Sequence, residues 1–320
     1  MVCPPVFGRT FPFPGKPNWL AAAIGLLVVS GWAGSLRAGT IPVPNASFES
    51  PVTEFVDTRI DSWQETPRPF WFEETPQNQW DFTTGVFKNT DPDKLDHIDN
   101  LDGSQAMYLF AVPDVGLFQD YDSTDWAHPT PPHVFDARFE VDTAYRLTVG
   151  VVGTGPLAQG ASLLVGLYYR DSASNRVTVA ATHIVYTNTV FSNATHLLDF
   201  QVNVPPVKAA DPWAGQHIGV QMLSTVGFDL QGGYWDLDNV RLTAIRPPVL
   251  RNAALTSGQF SFTLESDPGL RFEILASTDP GLPSADWTRL GAVTNVTGSV
   301  LFTDPTAASS RRFYGAREWP

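Results

Sequence analysis

Trp235-Asp236-Leu237-Asp238-Asn239-Val240-Arg241-Leu242 changes face in its middle: Trp235 and Leu237 share one parity, Val240 and Leu242 the other. A strand alternates its side chains with period two, so the flip implies an extra residue at Asp238-Asn239, the mark of a β-bulge. Such a bulge re-aims carboxylates out of a strand whose other face is apolar.

The same period runs outward from this segment. Tyr145, Leu147, Val149 and Val151 share a parity, as do Leu163, Val165, Leu167 and Tyr169, then Leu198, Phe200, Val202 and Val204, then Ile218, Val220 and Met222. Each set reads as a half-buried strand. Between them lie turn clusters, Gly153-Thr-Gly-Pro156, Asp171-Ser-Ala-Ser-Asn175 and Pro205-Pro206, and no amphipathic pattern spans three helical turns. The fold class is therefore all-β, a sandwich or jelly roll rather than a βαβ protein. At Arg246-Pro247-Pro248 two prolines that cannot continue a ladder mark a boundary. Residues 39–246 form a larger first domain and 247–320 a small second β-sandwich, with alternating Phe260, Phe262 and Leu264, then Phe272 and Ile274, then Val300 and Phe302. Segments 66–103 and 119–136, Pro- and Asp-rich without alternation, are the loops expected to carry function.

Composition narrows the partners. The 320 residues carry 20 Lys and Arg against 33 Asp and Glu, with no basic cluster to displace counterions from a phosphate backbone, so nucleic acid is not an expected partner. Arg9 and Lys16 precede an uncharged stretch from Trp19 to Ala33, followed by small residues at Gly34, Ser35 and Ala38. Residues 1–38 read as a secretory signal cut after Ala33 or Ala38, the apolar stretch being short for a membrane span. The mature chain is then secreted or periplasmic, with no membrane span. Removing Arg9, Lys16 and Arg37 leaves 17 bases against 33 acids, a net of −16, and no cysteine, Cys3 being the only one. An exported chain without disulfides needs a sizeable core or a bound metal, and acidic loops offer oxygen ligands to calcium.

A second motif, Asn45-Ala-Ser47-Phe48-Glu49 followed by Trp63, lies at the opposite end of the first domain. If the last strand pairs beside the first, Glu49 and Asp238 meet with backbone carbonyls in an oxygen-rich cage. The other reading, in which these acids cap turns on a solvated edge, stays open at this point.

These two motifs resemble those of the galactose-binding-like jelly rolls that include many carbohydrate-binding modules. Leu101-Asp-Gly-Ser-Gln-Ala-Met-Tyr-Leu109, Leu117-Phe-Gln-Asp120 and Tyr145-Arg-Leu-Thr-Val149 follow in the same order, so the resemblance spans about residues 41–244. It implies a structural calcium held by Glu49 and Asp238 with backbone carbonyls. The superfamily also contains the Stig cyclases, which rearrange and cyclise isonitrile-bearing indole terpenoids with an aspartic acid as proton donor; Asp236 or a loop aspartate would be the candidate here. The C-terminal segment, with Asp286-Trp287 and Arg312-Phe313-Tyr314, resembles the small appended β-domains of exported proteins from Verrucomicrobia and related bacteria, which implies a spacer or attachment module.

A glycan site needs flat aromatic faces edged by hydrogen-bonding side chains. Trp71, Gln79 and Trp80, in a polar segment, and Trp126 in a similar one, are the candidates; the alternative is that Trp71 and Trp80 plug the end of the sandwich. Trp63 and Trp235, beside alternating residues, are expected in the core. His128 and His133 read as a solvated loop, and Asp91, Asp93, Asp96, Asp99 and Asp102 lack the spacing of a calcium loop. Glu73 and Glu74 are adjacent on one loop and make no glycosidase pair. Zincin, serine-hydrolase and phosphate-loop motifs are missing. The expected function is a non-catalytic, calcium-stabilised module that binds a glycan, small molecule or cell-surface ligand; the alternatives are a cyclase on the same scaffold and a structural envelope or matrix protein.

Overall fold

The computed structural model describes residues 37–129, 135–266, 268–304 and 311–318. The signal segment up to residue 36, Cys3 and His133 lie outside them. Twelve strands make the first part of the chain: β1 (Arg37–Ile41), β2 (Val56–Asp57), β3 (Gln64–Glu65), β4 (Thr84–Lys88), β5 (Gln105–Phe110), β6 (Gly116–Gln119), β7 (Ala144–Thr154), β8 (Ser162–Arg170), β9 (Arg176–Val185), β10 (Leu198–Val204), β11 (Gly219–Ser224) and β12 (Tyr234–Arg246). Six more follow: β13 (Val249–Thr256), β14 (Gln259–Glu265), β15 (Leu270–Ser277), β16 (Thr288–Asn295), β17 (Ser299–Asp304) and β18 (Phe313–Glu318). Among the described residues the only helical turns are 3₁₀ turns at Trp80–Phe82 and Ser284–Asp286.

A seven-stranded sheet in the order β10-β7-β12-β5-β4-β2, with β1 also on β12, faces a five-stranded sheet, β3-β6-β11-β8-β9. The jelly-roll sandwich follows from the alternation. Leu147, Val149 and Val151 from one sheet and Val165, Leu167, Val220 and Met222 from the other are wholly buried in one core with Trp63 and Trp235. Each such side chain contributes about 1.5–3 kcal/mol by leaving water.

The bulge lies where the parity flips. Pairing of β12 with β7 shifts register between Asp238 and Arg241, and Asn239 takes a left-handed φ of 56°. Trp235 and Leu237 consequently point into the core, while Tyr234 and Asp236 point to the other face of the sheet. Strand β1 pairs with the end of β12, Ile41 opposite Leu242 and Arg37 opposite Arg246. A signal cut after Ala38 would remove two paired residues of β1; a cut after Ala33 leaves it whole.

Strand β12 ends at Arg246 and β13 starts at Val249, with the two prolines between. The later strands form two three-stranded sheets, β13-β14-β17 and β16-β15-β18, around a separate core of Phe260, Phe262, Leu264, Phe272, Ile274, Phe302 and Tyr314.

Candidate functional site

The outer face of the seven-stranded sheet carries a partly open cavity, and lining residues such as Phe55 and Leu95 remain exposed. Gly85, Tyr108 and Asp236 are cross-strand neighbours on β4, β5 and β12, and Phe110, Tyr234 and Thr154 form the next row on the same face. Tyr108, Asp236, Phe110, Tyr234 and Thr154, with Phe82 and Phe87, line this cavity of about 770 Å³. Its walls are Phe55 and Val56, the Asp-rich segment around residues 89–98, Tyr186, and Ala194 and Thr195. That size suits a drug-sized or polycyclic molecule. The Asp-rich wall is tied down at both ends. Asn89 and Ile98 exchange two hydrogen bonds of 2.9 and 3.0 Å, and Asn100 exchanges two of 3.0 and 2.8 Å with the Leu197 backbone. Asp91, Asp93 and Asp96 are exposed, as solvated loop acids are, while Ile98 turns inward.

Asp236 is only 4% exposed. Its Oδ2 accepts a 2.8 Å hydrogen bond from Thr154 Oγ1, and Oδ1 has no hydrogen-bond partner among the described residues. Burial pushes its carboxyl up to about 7, against the Thr154 bond, which favours the anion. At neutral pH the group is therefore divided between acid and carboxylate, beside a largely aromatic wall. Lys88, the one basic residue at the cavity, is drawn to Glu54 at 2.7 Å.

Near Tyr108 lies a second, half-buried acid, Glu65. Burial raises Glu65 to about 8, and raises Tyr108 to about 12 with help from the Glu65 and Asp57 carboxyls. Thr83 Oγ1 lies 2.7 Å from the Trp80 carbonyl and 3.0 Å from Glu65 Oε1. One hydroxyl hydrogen cannot serve both acceptors, and a protonated Glu65 supplies the missing one. In the unfolded chain Glu65 ionises above its ordinary 4.5; in the fold it keeps its proton to about 8, so stability falls as pH rises between those values. Glu65→Gln removes the penalty. We expect it to stabilise the fold by roughly 2–3 kcal/mol at pH 7 and negligibly at about pH 4. Denaturant unfolding at the two pH values measures this, and equal effects at both would contradict it.

Glu49 and Asp238 converge on one loop. Glu49 Oε1 accepts from the backbone N–H of Ser104 (2.8 Å) and Gln105 (2.7 Å), and Asp238 Oδ2 accepts from that of Asp102 (2.6 Å). Gly103 between them has φ 113°, and a Cβ there would come within 2.5 Å of Glu49 Oε1, so glycine is needed for the carboxylate to nest against the loop. Asp238 is fully buried, its Oδ1 has no hydrogen-bond partner, and burial together with Asp102 and Glu49 pushes its carboxyl up to about 7. Among the described residues no three or more His, Cys, Asp or Glu side chains gather as metal ligands. The side chains a cation would meet here are these two carboxylates, with Glu49 Oε2 also accepting from Ser104 Oγ at 2.9 Å.

Of the four residues expected to touch a glycan, Trp71 and Trp80 pack together and Gln79 directly precedes Trp80, and none of the four lines the cavity. Trp80 is a correction. It is 3% exposed, and its Nε1 donates to the Thr66 carbonyl at 2.6 Å, so it plugs the core instead of offering a face. Trp71 packs edge-to-face against Phe72, Trp80 and Phe228 and donates to Asp114 at 3.2 Å. Gln79 is exposed at the start of the 3₁₀ turn. Trp126 is 67% exposed, with the Arg59 guanidinium 5.4 Å from its ring centre. Of the paired carboxyls on the neighbouring loop, Glu74 is occupied with the Trp80 backbone N–H at 3.1 Å. His128 is exposed beside Asp125.

The aromatic set that surrounds Asp236 escaped the sequence reading. One signal was available: in β5, Met107 and Leu109 take the core parity while Tyr108 and Phe110 take the other, and apolar bulk on both parities marks a strand covered on both faces.

The model of the family described as HpiC1-like, HpiC1 cyclase, matches residues 39–243. No curated protein sequence matches the chain. Among solved structures, a cyclase from Fischerella sp. TAU is 24% identical and aligns over 66% of this chain and 98% of its own, with a TM-score of 0.47. The Stig cyclase Fisc from Fischerella sp. TAU, in complex with (3Z)-3-(1-methyl-2-pyrrolidinylidene)-3H-indole, is 24% identical over 65% of this chain and 98% of its own, with a TM-score of 0.46. The CBM22-1 xylan-binding domain of Paenibacillus barcinonensis Xyn10C is 11% identical over 67% of this chain and 97% of its own, with a TM-score of 0.33.

Proposed function

Starting from the premise that this chain belongs to the HpiC1-like cyclase family, as the match over residues 39–243 establishes, we propose that its jelly roll is an acid-initiated cyclase of aromatic terpenoid-type substrates. The observation that carries this reading is a buried carboxyl, Asp236, with one unpartnered oxygen at the floor of a 770 Å³ aromatic cavity. The neutral acid donates its proton to an electron-rich double bond of the substrate. The resulting carbocation is attacked by a second π bond of the same molecule, closing a ring, and loss of a proton to the Asp236 carboxylate restores the acid, so the reaction is a net isomerisation. Tyr108, Phe110 and Tyr234 line the cavity, and a ring face turned to the cationic stage would give a desolvated cation–π contact worth about 2 kcal/mol. A substrate filling the cavity against its aromatic floor would displace water from beside Asp236, which favours ring closure over hydration.

This reading replaces the non-catalytic glycan module as the better-supported one, because the acid and aromatic wall share one cavity while the expected sugar-stacking residues lie outside it and Trp80 is buried. Glu49 and Asp238 would hold a structural calcium, which would supply charge neutralisation at the bulge. Export, with cleavage after Ala33, is retained as part of the proposal.

The test is turnover of a panel of prenylated arenes headed by an isonitrile-bearing indole terpenoid, run in ordinary and heavy water and read by mass spectrometry. Cyclised product of unchanged elemental composition, carrying deuterium when formed in heavy water, is expected. A panel that returns only unchanged starting material, from protein that binds a glycan, would turn the assignment back to a binding module.

A further inference from the structure

On β4 the residue beside Tyr108 is Gly85, paired with it directly across the ladder. A Cβ at position 85 would stand 2.6 Å from the Tyr108 hydroxyl oxygen, 2.7 Å from its Cε1 and 2.6 Å from the Asp57 carbonyl. The phenol therefore lies down across the bare backbone of β4, with its hydroxyl end against β2, and turns away from Asp236, its neighbour on the opposite side. Along its own strand Phe110 blocks one direction, edge-on at 5.8 Å. A ring pushed off β4 has its remaining space over β12, above Asp236.

We propose that Gly85 is a specificity-determining position of this cavity: it makes the slot that stores the Tyr108 ring, and the empty slot-side space beside Asp236 is what admits a fused-ring or prenylated substrate. The inference rests on reading the cavity as the ligand site. A side chain at 85 would convert the site to one that takes a single small arene, because the displaced ring fills the width that the larger molecule needs.

Gly85→Ala, Tyr108→Ala and the double variant, made in the full chain, test this in two ways. The crystal structure of Gly85→Ala is expected to show the Tyr108 ring moved toward Asp236 and the cavity narrowed, and its loss of melting temperature is expected to be largely recovered in the double variant. A ring still lying on β4 while β2 backs away would overturn the proposal. So would a Gly85→Ala defect of the same size with and without Tyr108, since the Asp57 carbonyl alone would then explain the glycine. If Gly85→Ala does not fold, a folded double variant supports the slot and an unfolded one overturns it. In the second arm, calorimetric titration with indole and with 4-(1H-indol-3-yl)butan-2-one should give a Kd for the larger probe raised about tenfold or more in Gly85→Ala, with indole changed about twofold or less. Equal weakening of both probes would overturn the specificity role. Wild-type protein that binds neither probe would overturn it too, by removing the ligand-site reading on which it rests, whereas the crystal structure would still report separately on the slot.

Discussion

Asp236→Asn is expected to slow turnover by a factor on the order of 10²–10⁴ while making the protein harder to unfold. The loss follows from its role: an amide of the same shape carries no acidic proton, and general-acid assistance is worth on the order of 10²–10⁴-fold in rate. The gain follows from burial. The unfolded chain ionises Asp236 above 3.8, while the fold holds its proton to about 7, so the native state is penalised progressively as pH rises across that interval. At pH 7 and above, relief of the penalty should stabilise the fold by roughly 2–4 kcal/mol, shrinking toward zero near pH 4. The wild-type rate should fall about tenfold per pH unit above 7 as the donor is lost, and the residual rate of the variant should lack that limb. Rates and unfolding curves from pH 5 to 9 measure all three. A variant that keeps its rate, or loses rate and stability together, would mean that Asp236 is a structural group.

Calcium is expected to raise the melting temperature and a chelator to lower it. Glu49 and Asp238 approach the 102–105 loop from opposite ends of the domain, 189 positions apart in the chain (238 − 49), so an ion bound between them closes a long loop that the unfolded chain leaves open. A ligand that binds only the native state stabilises by about 2.7 kcal/mol at one hundred times its Kd. Gly103→Ala, which drives a Cβ into Glu49 Oε1, should lose most of that calcium response as well as some basal stability. Scanning calorimetry with calcium, with chelator and with magnesium settles the matter, and identical melting in all three would remove the metal from the account.

What could be read from the sequence was whatever a period of two encodes. The parity flip at Asp238-Asn239 marks the bulge, the apolar sets of β7, β8, β10 and β11 mark the core, and Trp63 and Trp235 lie inside as their neighbours required. Glu49 and Asp238 do reach one loop, but the backbone groups they meet there are the N–H donors of residues 102, 104 and 105 and not the carbonyls a cage would supply. Parity says which face a side chain takes and nothing about what covers that face. Asp236 was visible only as one candidate among several acids, since its burial depends on a wall drawn from residues 89–98 and 194–195. Trp80 misled for the converse reason. Glu73 through Gln79 are all exposed, and the polar run hides a single 3₁₀ turn that swings the indole back to the Thr66 carbonyl. Of the three Asn-x-Ser/Thr sequences, Asn45 spends its amide on the Ser50 and Asp61 carbonyls and Asn295 is fully buried, which leaves Asn193 as the exposed one.

The most direct test of the central claim, that the cavity on the outer face of the seven-stranded sheet is the reaction site, is a crystal structure of Asp236→Asn soaked with 4-(1H-indol-3-yl)butan-2-one. The account predicts the indole within the cavity among Tyr108, Phe110 and Tyr234, with a polar atom or ring edge against residue 236. An indole bound at Trp71 or Trp126 with the cavity collapsed or filled by the 89–98 segment would contradict it.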